Sequence, residues 1–196
     1  MVRQIAMSNS YVTLWTQGYC KHLQWAEDRG PLSVMFGGPH GSLPSVAHLK
    51  QGDWVYPVMI SAGSLFVIGR MRIAAIIPYD DFARDRGKIS VTGEGRWVAT
   101  ANGFRRVHPQ PGHRSPPGKC IDHVAIGEAG TPLRFDNAIP DDTLATLRFG
   151  PKAGRERPLK GIAAGRLMHS LLLQGHYRRL SEESAVAFAR MVESRA

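Results

Sequence analysis

The sequence predicts an α+β fold built on a mixed, mostly antiparallel, barrel-like sheet, and three observations carry this. The most apolar and β-branched stretch, Trp54 to Ile77, is two extended runs joined by "SAGS", the pattern of a hairpin. Short strand-like runs then recur between Gly- and Pro-rich connections. Only "LSEESAVAFARMVESR", near the C-terminus, carries a full set of helix signals.

Residues 1–9 read as a lead-in and 10–196 as one domain. "SYVTLW" (10–15) alternates and gives a first strand. "GYCKHLQWAEDRG" (18–30) has no proline, and Cys20, Leu23, Ala26 and Glu27 fall at helical spacings, so a short helix ending at Gly30 is expected. "GPLSVMFGGPHGSLP" is too rich in Gly and Pro to be regular for long, and "PSVAHLKQGD" gives a helical turn or two before Gly52. In the hairpin, Trp54, Val55, Tyr56, Val58 and Ile60 make one strand, and Leu65 to Ile77 make a longer return strand stopped by Pro78. Pro57 has no N–H, so its strand is an edge or the pairing bulges there. Val55, Val58, Ile60, Phe66, Ile68 and Ile73 are the expected core.

"YDDFARDRGK" follows as a charged connection with a possible helical turn, then "ISVTGEGRWVATANGFRRV" reads as two short strands. Residues 108–118, "HPQPGHRSPPG", hold four prolines and two glycines and form an irregular loop. "CIDHVAI" and "PLRFDNAI" are strand-like. "PDDTLATLRFG" starts as a helix at Pro140–Asp141 or ends as a strand at "TLRF". "PKAGRERPLKGIAAGRL" is an exposed basic loop leading into a strand. The closing helix, at about 181–195, has Ser181 as cap, Glu182 and Glu183 in its first turn, and a stripe of Ala185, Phe188, Ala189 and Val192.

A chain of 196 residues with 43% hydrophobic and 21% charged residues can bury one full core. No apolar run reaches the ~20 residues of a membrane span; the longest, 65–77, is broken by Gly69, Arg70 and Arg72. No signal peptide is legible at the N-terminus, and two cysteines make no disulfide framework, so a cytoplasmic location is expected. Lys and Arg number 25 against 16 Asp and Glu, a formal charge of +9 that favours a polyanionic partner, nucleic acid ahead of a membrane surface.

Those cations cluster. "FRRVHPQPGHR" brings Arg105, Arg106, His108, His113 and Arg114; "RFGPKAGRERPLKG" brings Arg148, Lys152, Arg155, Arg157 and Lys160; Arg70 and Arg72 stand two apart on one strand. Guanidinium forks suit phosphate, and glycine lets backbone N–H groups approach it. Aromatics near strand ends, Trp15, Tyr19, Trp25, Trp54, Tyr56, Tyr79 and Phe104, are candidate stacking platforms, with Trp15 and Tyr19 placed first and Thr16 and Gln17 beside them to meet a base edge.

"GDWVYPVMISAGSLFVIGRMRIAAI", entered from a short helix and "LKQGD", resembles the PUA-like superfamily, which includes PUA, ASCH, EVE and SRA-type domains. In that group a Gly-Asp turn introduces the second strand of a small pseudo-barrel. "GYCKHLQWAEDRG" is similar to the ASCH helix pattern through Gly18, Lys21, Glu27 and Arg29, with acid and Arg several residues late. "LRFDNAIPDDTLATLRFG" looks like the EVE-type return of an arginine-bearing strand. The resemblance spans roughly 10–150 and implies binding of RNA or modified DNA bases, or, for a minority of members, enzymatic action on nucleic acid.

The expectation is therefore a reader of a modified or flipped base, DNA preferred over RNA, with basic loops on the phosphates. The alternative is a small ASCH-type nuclease or amidohydrolase, for which the resemblance implies a Lys–Thr–Glu arrangement from Lys21, Thr16 (or Thr13) and Glu27. Six residues apart on a helix, Lys21 and Glu27 face each other poorly. His108, His113 and His123 offer a nuclease acid or base. Cys20 with His22 and Cys120 with His123 would make a tetrahedral zinc set if the two segments met, but at no finger spacing, so no metal is assigned. No P-loop or dinucleotide fingerprint is present and no cofactor is expected. A protein-interaction module is a third class, disfavoured by the charge.

Overall fold

The computed structural model describes residues 8–25, 27–37, 46–78, 81–82, 96–100, 103–107, 123–163, 165–169, 172–173 and 177–194. The strands are β1 (Ser10–Leu14), β2 (Val34–Gly37), β3 (Trp54–Ser61), β4 (Ser64–Val67), β5 (Met71–Pro78), β6 (Arg96–Thr100), β7 (Gly103–Val107), β8 (His123–Glu128), β9 (Arg148–Gly150), β10 (Arg157–Pro158), β11 (Ile162–Ala163), β12 (Arg166–Leu167) and β13 (Arg178–Leu180). The helices are α1 (Gln17–Trp25), α2 (Asp141–Thr146) and α3 (Glu182–Glu193), with a 3-10 turn at Val46–His48.

The fold is mixed α+β with one large, mostly antiparallel sheet. Its strands run β10-β9-β13-β1-β3-β5-β8-β2, with β4 also on β3, and among the described residues no pair closes this order into a barrel. Among the described residues only β1 and β3 pair in parallel, so the chain crosses over between them, and α1 lies in that crossover. β6 with β7, and β11 with β12, form separate two-stranded ribbons.

β3 explains the unbroken apolar run. Val55 and Met59 join a core cluster with Cys20 and Leu23 of α1. Tyr56, Val58 and Ile60 face the other way, into a cluster with Leu144, Phe149, Phe188 and Val192. A strand buried on both faces has no polar side to alternate with. The expected core residues Val55, Val58, Ile60, Ile68 and Ile73 are buried, and Phe66 is partly so.

The return strand is not continuous from 65 to 77. It breaks after Val67 and resumes at Met71. β3 pairs Val58 with Val67 but Val55 with Met71, so the register slips by one residue between them. Pro57 sits opposite this slip, its carbonyl accepting from Ile68 N at 2.9 Å, and its missing N–H falls where the ladder is interrupted. β3 is therefore interior, and the bulge is on the partner strand. Gly69 fits in that bulge because a Cβ there would lie 3.1 Å from Thr131 Oγ1 and 3.3 Å from Pro132 O.

Three expected elements end differently. α1 stops at Trp25 rather than Gly30: Asp28 N donates to Leu23 O and Glu27 N to Gln24 O, with Glu27 left-handed at φ 55, the paired bonds of a Schellman termination. "PLRFDNAI" is no named strand; it lies along the bulged arm, Arg134 N donating to Ile68 O, Val67 N to Asn137 O and Ile139 N to Leu65 O. "PDDTLATLRFG" is both readings in succession, α2 then β9. α3 begins as expected, Ser184 N donating to Ser181 Oγ, and buries Phe188 and Val192.

Candidate nucleic-acid interface

The Gly52-Asp53 turn is held by a chain of polar bonds. Gly52 adopts φ 90, which turns Asp53 inward to 3% exposure. Asp53 Oδ1 accepts from Asn9 N at 3.0 Å and Oδ2 from Lys50 N at 2.9 Å. Asn9 Oδ1 in turn accepts from Arg179 Nε at 3.1 Å, and Arg179 is ion-paired with the buried Glu156. The turn thus ties β13 and the strand-β10 segment to the entry of β3.

Two of the residues placed at the end of β1 are committed to structure. Gln17 Nε2 donates to Ile60 O at 2.8 Å, and Thr16 Oγ1 accepts from Tyr19 N at 3.2 Å, starting α1. Trp15 and Tyr19 do meet, edge to face at 5.0 Å, but both pack on the α1-side core. Burial, then Asp28, raises the Tyr19 phenol above its ordinary pKa, so the ring stays neutral. Among the described residues the aromatic exposed at this end of the fold is Trp25, 53% accessible at the last position of α1.

The cations sort into two groups. Arg70 donates to Glu193 Oε1 at 2.9 Å and its guanidinium lies 4.6 Å from the Trp54 ring centre. Arg72 pairs with Glu128 across the β5–β8 ladder at 2.8 Å. Because Arg70 lies in the bulge and Arg72 in β5, they do not share a strand face as the spacing suggested. Lys152, Arg155, Arg157 and Lys160 are exposed and, among the described residues, join no carboxylate. Arg157 donates to the Glu156 carbonyl at 2.8 Å. Arg148 is exposed on β9, its N–H held by Ser184 Oγ at 2.9 Å. His108, His113, Arg114, Cys120 and Tyr79 lie outside the described residues, as do the side chains of His22, Phe104, Arg105 and Arg106.

A cleft of ≈ 490 Å³ opens beside the end of α1, lined by Gln24, Arg29, Leu133, Arg134, Phe135 and Asp136 among others. Arg29 lies 6.0 Å from the Phe135 ring centre. Residues 133–137 alternate strictly, with Leu133, Phe135 and Asn137 buried and Arg134 and Asp136 exposed. In the sequence Arg29 stands only in a helix pattern and Arg134 only as the arginine of the EVE-like strand, with no sign that the two share a site. The alternation in "LRFDN" was the available signal.

Lys21, Thr16 and Glu27 are not brought into contact. Lys21 is exposed on α1, Glu27 lies past its end, and no hydrogen bond or ion pair joins Lys21, Thr16 and Glu27 among the described residues. Cys20 is fully buried and its thiol is pushed up to about 12 by that burial, which disfavours the thiolate a metal requires. His123 starts β8, and no group of three or more metal-ligating side chains occurs among the described residues. No helix among them is long and apolar enough to cross a membrane.

Comparison with protein-family models, with curated proteins and with solved structures finds no match.

Proposed function

We propose that this chain is a cytoplasmic nucleic-acid-binding protein of PUA-like barrel architecture, reading a modified or flipped base in DNA in preference to RNA. The observation that carries the proposal is the 152–160 segment. Its only carboxylate, Glu156, is turned inward onto Arg179, so Lys152, Arg155, Arg157 and Lys160 present four positive charges with no local negative offset. Such a surface suits a phosphate backbone, and each neutralised phosphate steepens the salt dependence of binding. The ASCH-type enzyme is the second reading of the sequence, and no arrangement of side chains among the described residues favours it.

Anisotropy titrations against modified and unmodified DNA and RNA at two salt concentrations test the proposal. Affinity that falls with salt, and falls again in a Lys152→Gln, Arg155→Gln, Lys160→Gln variant, is expected. Absence of salt-sensitive binding to every probe would refute it.

A further inference from the structure

We infer that the cleft between the end of α1 and residues 132–136 is a nucleotide pocket, which takes one unstacked unit of a single strand with its phosphate between Arg29 and Arg134. The inference deepens the nucleic-acid reading above and rests on it for the strand, though not for the nucleotide.

The volume, ≈ 490 Å³, falls in the range of small-ligand sites, roughly 300–1,000 Å³. Arg29 and Arg134 are exposed, and among the described residues neither is ion-paired to a carboxylate. They outnumber the one acid in the lining, Asp136, and leave the cleft net positive. The Arg29 guanidinium lies 6.0 Å from the centre of the Phe135 ring, which holds it over the cleft floor. A single phosphate set between two forked guanidinia accepts from both at once.

The remaining lining suits a base rather than a bare anion. The Gln24 amide donates and accepts, and the Asp136 carboxylate accepts, which together match the mixed edges of a nucleobase. Trp25, 53% exposed at the last position of α1, is a large ring at this end of the helix and lies outside the cleft lining itself. A duplex keeps its bases stacked and cannot enter, so the pocket selects single strands or flipped units.

The test uses the full chain with 5′-mononucleotides, inorganic phosphate, a short single-stranded oligonucleotide and its duplex. An Arg29→Gln/Arg134→Gln variant should bind mononucleotide and single strand about tenfold more weakly, with a shallower salt slope. Asp136→Asn keeps an acceptor oxygen for the base and removes a negative charge that repels the phosphate, so it should bind them severalfold more tightly, a gain that lost packing would not produce. Both variants should melt at the wild-type temperature and keep wild-type duplex binding. Single-strand binding unchanged in the double-arginine variant overturns the pocket and leaves the nucleic-acid reading standing. Inorganic phosphate bound as tightly as mononucleotide also overturns it, as a plain anion site. Mononucleotide binding lost in that variant, with no oligonucleotide bound by the wild type, upholds the pocket and removes the nucleic-acid reading. No binding of any probe removes both.

Discussion

Arg70 lies with its guanidinium 4.6 Å from the centre of the Trp54 ring while donating to Glu193 at 2.9 Å, so one side chain joins the β-bulge to the last turn of α3. Its side chain is only 17% exposed. Arg72, half exposed and paired with a half-exposed Glu128, has none of these constraints. Arg70→Ala should therefore cost about 1–2 kcal/mol and Arg72→Ala less than about 0.5 kcal/mol in urea unfolding. Equal costs would show that the Trp54 contact contributes nothing. Neither change should alter the salt slope of nucleic-acid binding by as much as loss of Arg155.

Glu156 and Arg179 are a less exposed pair, at 9% and 23%. Removing one partner leaves the other charge poorly solvated, so Glu156→Ala should lose about 2–3 kcal/mol. The double variant Glu156→Ala/Arg179→Ala should lose clearly less than the sum of the single losses. Strict additivity in chemical denaturation would mean the pair is not coupled.

Glu27 ends α1 in a left-handed conformation that favours glycine. Glu27→Gly relieves roughly 1–2 kcal/mol of strain and returns part of it as unfolded-state entropy, a net gain of about 0.5–1 kcal/mol. Glu27→Val, β-branched, should lose stability instead. A calorimetric melt that moved down for glycine would remove the Schellman assignment.

These features divide the sequence into what local chemistry decides and what it does not. The α3 cap and the β3 apolar run were legible, and β6 and β7 as two short strands, because neighbouring residues determine them. The α1 ending was not, since a Glu at the left-handed position carries no glycine signal. The Pro57 ambiguity resolved only through Ile68, a pairing partner the sequence cannot name, and that slip also separated Arg70 from Arg72. The candidate site was legible as a count of cations. Which of them are neutralised depended on distant carboxylates, Glu193 for Arg70, Glu128 for Arg72 and Glu156 for Arg179. Gln24 and Arg134 lie far apart in the chain, so their shared cleft had no local signature.

Alkaline pH should unfold the protein through its buried acids. Burial lifts the Cys20 thiol from 9.0 to about 12 and raises the phenols of Tyr19 and Tyr177. A native pKa above the unfolded one means that the folded state holds the proton longer. The thiol's stabilisation is complete below pH 9 and is lost as pH rises toward about 12, at about 1.4 kcal/mol per pH unit, and that of the two phenols begins to be lost only above 10.0. Unfolding free energies from urea titrations should therefore fall steeply above pH 9, and a Cys20→Ala variant should fall less steeply. The same burial predicts that iodoacetamide at pH 8 labels Cys20, mapped by peptide mass, only at the rate of unfolding. Rapid native labelling of Cys20, or a flat stability profile from pH 9 to 11, would place the thiol at the surface and dissolve the α1-side core as described.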